Sequence, residues 1–78
     1  MALVTEITEQ KLEKDVSHKP VQCTYWVVVG SEGKRYLQLD TYGSSERQIK
    51  GKKSQSIRFA PSAISTLGKI LKEHHLAD

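Results

Sequence analysis

The stretch Glu46–Arg58, ERQIKGKKSQSIR, decides how the chain is read. From Arg47 onward it holds Arg47, Lys50, Lys52, Lys53 and Arg58 with no acidic residue, and it runs directly into Phe59. Residues 54–59, SQSIRF, alternate: Ile57 and Phe59 fall on one side, Ser56 and Arg58 on the other. That is the period of a half-buried strand. Pro61 then stands where the first helical residue would, a position whose N–H has no intrahelical partner to lose. Ile64, Leu67, Ile70 and Leu71 follow at helical spacing and make one apolar stripe. A basic segment that becomes a strand and precedes a single C-terminal helix suits a sheet that handles a polyanion.

Working back from this stretch, Gly43 to Lys53 is polar, charged and glycine-punctuated, the composition of a loop or a long hairpin tip. Lys34 to Tyr42, KRYLQLDTY, alternates cleanly: Leu37 and Leu39 point one way, and Tyr36, Gln38, Asp40 and Tyr42 the other. Cys23 to Val29, CTYWVVV, is β-branched and aromatic and too short for a helix, so it reads as a strand. Gly30-Ser31-Glu32-Gly33 joins the two as a turn. Residues 1–21 are mixed. Leu3, Val4, Ile7 and Leu12 are loosely helical in spacing, while Thr5, Ile7 and Thr8 favour a strand, and His18-Lys19-Pro20 breaks whatever precedes it. The reading is a strand or an extended arm over residues 3–9, within an N-terminal segment 1–21 that precedes a sheet-plus-helix domain over 22–78. The fold class is α+β: a small curved antiparallel sheet of three to four strands followed by one C-terminal helix, in the order β-β-β-β-α.

A chain of 78 residues is one domain with a limited core. Self-association is the cheapest way to bury more apolar surface, so an oligomer is expected, most simply a homodimer. Gly68 in the helix costs about 1 kcal/mol against alanine and marks a place where another backbone could come close, for instance across a dimer interface. The net charge is a mild +3, but its distribution is uneven. Residues 1–22 carry three basic and four acidic groups, residues 23–60 seven and three, and residues 61–78 two of each. The positive excess therefore lies with the strands. Cys23 is the only cysteine, which excludes an internal disulfide and suits a reducing cytoplasm. The start MALVTEITEQ has no basic opening followed by an apolar run, and no stretch approaches the ~20 apolar residues of a membrane span.

If the helix covers Leu37, Leu39, Ile57, Phe59 and one set of side chains from the Cys23–Val29 strand, the other sheet face carries Tyr36, Gln38, Tyr42, Ser56 and Arg58. Trp26 or Tyr25 joins them, according to the register of the first strand. Lys34, Arg35 and the Lys50-Lys52-Lys53 loop flank this face, with Arg47 further along the same basic segment. Cations attract phosphates and flat rings stack on unpaired bases, so the combination suits single-stranded DNA or RNA. No helix is free to enter a duplex groove, because the one helix is needed over the core. Asp40 shares the open face, where a carboxylate repels phosphate.

Two segments carry a family resemblance: GKRYLQLDTYG (33–43) and KGKKSQSIRFAPSAISTLGKIL (50–71). The layout resembles the single-stranded DNA-binding domains of the positive cofactor four, Whirly and Pur group, over about residues 22–75. The resemblance implies a sheet of about four strands with a helix behind it, a dimer built partly through helices, and binding of single strands by the sheet face. It places Lys50, Lys52, Lys53 and Arg58 at the family's basic approach to the strand, and Tyr36 and Tyr42 as stacking rings. The segment before Gln22 matches the family's first strand poorly.

Catalytic and metal chemistry have little to stand on. His74 and His75 are adjacent and so point about 100° apart on a helix, which rules out joint chelation. A lone strand cysteine is a small hydrophobe by default. No Ser-His-Asp order, paired carboxylates or phosphate-binding glycine motif stands out. The expectation is a non-catalytic module without cofactor or metal, binding single-stranded nucleic acid as a transcriptional regulator or coactivator does. A protein-interaction module and an accessory subunit of a nucleic-acid enzyme are the rival readings.

Overall fold

The computed structural model describes residues 1–43 and 53–77. Four strands, β1 (Ala2–Val4), β2 (Cys23–Val29), β3 (Arg35–Tyr42) and β4 (Lys53–Phe59), precede one helix, α1 (Pro61–Glu73). They form a single sheet in the order β1-β4-β3-β2. The β-β-β-β-α order expected from the sequence is therefore present.

The sheet is mixed rather than wholly antiparallel. β2 and β3 pair antiparallel, as do β3 and β4, but β1 pairs parallel to β4, with Ala2 opposite Ile57 and Val4 opposite Phe59. Antiparallel neighbours can be joined by a tight turn, whereas parallel ones need a long crossover. Here the crossover is everything from residue 5 to the start of β4. The pairing continues past the strand ends: Ala60 N–H donates to the Val4 carbonyl at 2.9 Å, and Ser62 Oγ donates to the Thr5 carbonyl at 2.8 Å. The N-terminal strand is thus shorter than the expected 3–9, and residues 5–22 carry no strand or helix.

The β2–β3 hairpin closes through Ser31-Glu32-Gly33. Gly30 N–H donates to the Lys34 carbonyl at 2.7 Å and Gly33 N–H to the Gly30 carbonyl at 3.1 Å. Gly33 sits at φ 77°, a left-handed conformation that glycine adopts without steric cost. A register shift follows Thr41 in the β3–β4 pairing, just before Lys53 takes its place opposite Tyr42.

Helix α1 begins with Pro61 and ends in a reciprocal backbone cap. Leu76 N–H donates to the Leu71 carbonyl at 2.9 Å and His75 N–H to the Lys72 carbonyl at 3.3 Å, with His75 at φ 54°. That is the Schellman arrangement, with histidine in the left-handed position usually held by glycine. The helix lies against β3 and β4. Its sheet-facing parity is Leu37 and Leu39 with Ile57 and Phe59, which the register places opposite one another.

The core is thin. Among the described residues, Ala60 and Ala63 are the only buried apolar side chains. The helix does not extend across β2, so Tyr25, Val27 and Val29, which share the parity of Leu37 and Leu39, remain 72%, 62% and 65% exposed.

Candidate functional site

The face opposite α1 is built from alternate residues of three strands. The register sets Trp26 of β2 beside Gln38 of β3, and Gln38 beside Arg58 of β4. One rung along, Thr24, Asp40 and Ser56 line up in the same way. The β2 register therefore chooses Trp26, not Tyr25, for this face.

Asp40 is the centre of the arrangement, and its side chain is wholly buried. Trp26 Nε1–H donates to Asp40 Oδ2 at 2.6 Å, and Gln38 Nε2–H donates to Asp40 Oδ1 at 3.0 Å. Lys53 Nζ stands 3.3 Å from Oδ2. Each carboxylate oxygen is thus met by a donor, as a buried charge requires. Hydrogen bonding from Ser56, then from Gln38, lowers the carboxyl from its ordinary 3.8 to about 2. Burial pushes in the opposite direction and is outweighed; Trp26 and Lys53 add to the lowering. Asp40 thus lies on the expected face, but not as an open carboxylate. The charge lies beneath the surface, with Lys53 over it.

The network extends to Arg58. Its Nε–H donates to Gln38 Oε1 at 3.0 Å, and its Nη2–H donates to the same oxygen. Gln38 is buried and oriented at both ends, with its carbonyl toward Arg58 and its amide nitrogen toward Asp40. Two N–H groups of the guanidinium are committed to it, and the rest of the fork is free of Gln38. Trp26 remains 52% exposed. Lys53 Nζ lies 5.7 Å from its ring centroid, within cation–π range, while the lysine side chain is itself 48% exposed.

The two tyrosines flank this centre. Tyr36 sits opposite Val28, and its ring lies against Gly30, where an added Cβ would stand 3.1 Å from Tyr36 Cε1. Tyr42 Oη and Thr24 Oγ1 share a hydrogen bond at 2.9 Å. Both rings are half-buried on the side away from α1.

Of the residues singled out from the sequence, Trp26, Tyr36, Gln38, Tyr42, Lys53 and Arg58 come together on this face. Lys53 does so as the first residue of β4 rather than as part of a loop. Arg35 is not brought to it: Arg35 pairs with Val29 and takes the parity of Leu37, which starts its side chain toward the α1 side. Lys34 lies at the hairpin end, 3.8 Å from Glu32, with both side chains well exposed. Arg47, Lys50 and Lys52 lie outside the described residues.

Sequence reasoning missed the role of Asp40. The signal was available. Strict alternation put the carboxylate between a strand carrying tryptophan and a strand carrying arginine, where it could serve as an acceptor as readily as a source of repulsion. Among the described residues no group of three or more His, Cys, Asp and Glu side chains is placed to hold a metal ion, and no helix is long and apolar enough to cross a membrane. No family model, curated protein or solved structure matches this chain.

Proposed function

We propose that this protein is a non-catalytic module that binds single-stranded DNA or RNA through the sheet face opposite α1, as a homodimer, in the manner of the positive cofactor four, Whirly and Pur domains it resembles. One observation carries the reading: a half-exposed indole with Lys53 over it and Arg58 two strands away, all on one face. Rings offer stacking to any unpaired base, and cations offer phosphate contacts. The basic residues Arg47, Lys50 and Lys52, which lead into β4 in the sequence, add to the same side of the charge balance. A role in transcription regulation in the cytoplasm belongs to this proposal and rests on the resemblance and the lone cysteine alone.

The dimer is supported by the apolar surface the single chain leaves open. Tyr25, Val27 and Val29 form an exposed stripe on the α1 side of β2, and a Cβ added at Gly68 would meet nothing within 4 Å. Exposed contiguous apolar surface of this kind marks an association site. A second copy is the simplest occupant, since it would complete a core that a chain of 78 residues lacks.

The test is a fluorescence-anisotropy titration with a labelled mixed-base single strand at several salt concentrations, with the matching duplex as competitor. Affinity is expected to fall steeply with salt, and the duplex to compete poorly. Replacing Lys50, Lys52 and Lys53 together by alanine should leave the far-ultraviolet dichroism unchanged. It should weaken binding to all sequences alike and reduce the log–log salt slope by about 2, at roughly 0.7 per phosphate contact on a single strand. Unchanged affinity in the triple variant would remove that segment from the interface. Salt-insensitive binding to a protein partner, with no affinity for oligonucleotide, would favour the protein-interaction reading instead.

A further inference from the structure

Asp40 poses a question that nucleic-acid binding alone does not answer. A carboxylate near a surface that binds phosphate is an electrostatic liability. Yet Asp40 sits at the junction of every polar side chain in the middle of the face. It accepts from the Trp26 indole at 2.6 Å and from the Gln38 amide at 3.0 Å, and it draws Lys53 to 3.3 Å. Gln38 in turn holds Arg58 through two donors on one oxygen. The chain of contacts is directional. The carboxylate accepts the Gln38 N–H, which turns the amide oxygen toward β4, which fixes the guanidinium.

We infer that Asp40 is the positioning residue of this face: it anchors the Trp26 ring by its N–H and, through Gln38, sets the orientation of Arg58. The inference deepens the proposed single-strand reading and rests on it for the identity of the ligand. It also says how the ligand is met. With its only polar donor turned inward, Trp26 presents a π-face and no hydrogen bond. With one edge of the guanidinium occupied by Gln38, Arg58 presents its remaining donors as a fixed fork suited to phosphate oxygens. Lys53, shared between the carboxylate and the ring, is the cation that a stacking base must move aside.

The sign of one substitution separates positioning from simple charge. Asp40→Asn keeps the shape and removes a negative charge. If Asp40 only adds charge to the face, the variant binds a single strand more tightly. If it positions Trp26 and Arg58, the variant binds about tenfold more weakly, the scale of one lost charge-assisted hydrogen bond. A labelled 15-nucleotide oligothymidine serves as probe, read by anisotropy beside the indole N–H resonance of the uniformly 15N-labelled protein. The expected result is a strongly downfield, exchange-protected indole proton in the native protein, its return to the solvated position in Asp40→Asn, and weaker binding. Equal or tighter binding by Asp40→Asn, or an indole proton at its solvated position in the native protein, would overturn the inference.

Trp26→Phe keeps a ring and deletes the donor, so it carries the test if Asp40→Asn does not fold; undiminished affinity there counts against positioning. The two readings fail separately. A native protein with the downfield indole signal but no affinity for any oligonucleotide sinks the proposed function and leaves the positioning supported.

Discussion

The two faces of this sheet are finished to different degrees. On the face away from α1, the buried polar atoms are all paired: among the described residues no buried side-chain nitrogen or oxygen lacks a partner. On the α1 side, apolar side chains are only partly covered, and along β2 they are open. The contrast follows from the reach of one short helix. Thirteen residues rising 1.5 Å each span about 20 Å, enough to lie along β3 and β4 but not to cover a sheet four strands wide as well. The polar face needs no partner to be stable, so whatever binds there binds to a preformed surface. The apolar face is the one that the single chain leaves partly open, along β2.

The largest expected effect tests that asymmetry. Val27→Glu places a charge in the middle of the open β2 stripe. In an isolated chain Val27 is already 62% exposed, and the substitution would be nearly neutral. At a dimer interface it buries an unpaired carboxylate and should cost about 3 kcal/mol, roughly two orders of magnitude in the dissociation constant. Multi-angle light scattering checks this directly. The native protein should run at twice its chain mass of 8.8 kDa and the variant at the single-chain mass. A native protein that stays at the single-chain mass at high concentration would dissolve the contrast between the faces.

A smaller effect concerns the polar face and its dependence on acid. The carboxyl of Asp40 is lowered from 3.8 to about 2 in the folded protein, chiefly by hydrogen bonding from Ser56 and Gln38. A depressed carboxyl stabilises the folded state in full above its unfolded value, and that contribution is lost as pH falls through the folded one. The native protein should therefore exceed Asp40→Asn in stability at pH 7. The gap should narrow between about pH 4 and pH 2, as the carboxylate takes up its proton. Chemical denaturation at a series of pH values gives the comparison. A gap that stays constant across this window would mean that the ionised carboxylate is not what joins the polar face together.

Much of this was legible in the sequence, for identifiable reasons. Leu37 and Leu39 alternate with Tyr36, Gln38 and Asp40, and a two-residue period leaves no freedom about which side chains share a face. Pro61 followed by Ile64, Leu67 and Leu71 fixed the helix in the same way. Two features were not legible. β1 joins β4 in parallel with most of the chain between them, and no local pattern encodes a pairing that distant; Ala2-Leu3-Val4 is too short to show a period at all. The exposure of Tyr25, Val27 and Val29 was also hidden, because aromatic and β-branched residues at alternate positions read as core whether or not the helix reaches them. The candidate site was half legible. Its membership followed from parity, but the inward turn of Trp26 and Gln38 toward Asp40 depends on side-chain torsions that no spacing specifies.

The smallest effect separates what the polar face does for stability from what it does for a ligand. Tyr42 ends the face, and its hydroxyl shares a hydrogen bond with Thr24 at 2.9 Å near the surface. Tyr42→Phe removes that bond and keeps the ring. Because both groups can turn to water, the cost to stability should be about 0.5 kcal/mol, at the low end for an intramolecular hydrogen bond. If Tyr42 serves as a stacking ring, oligonucleotide affinity should be unchanged in Tyr42→Phe and reduced several-fold in Tyr42→Ala. Equal affinity in all three proteins would confine the ligand to the Trp26 end of the sheet. Loss in the phenylalanine variant would instead make the hydroxyl a ligand contact, and the polar face would then not be self-sufficient at its rim.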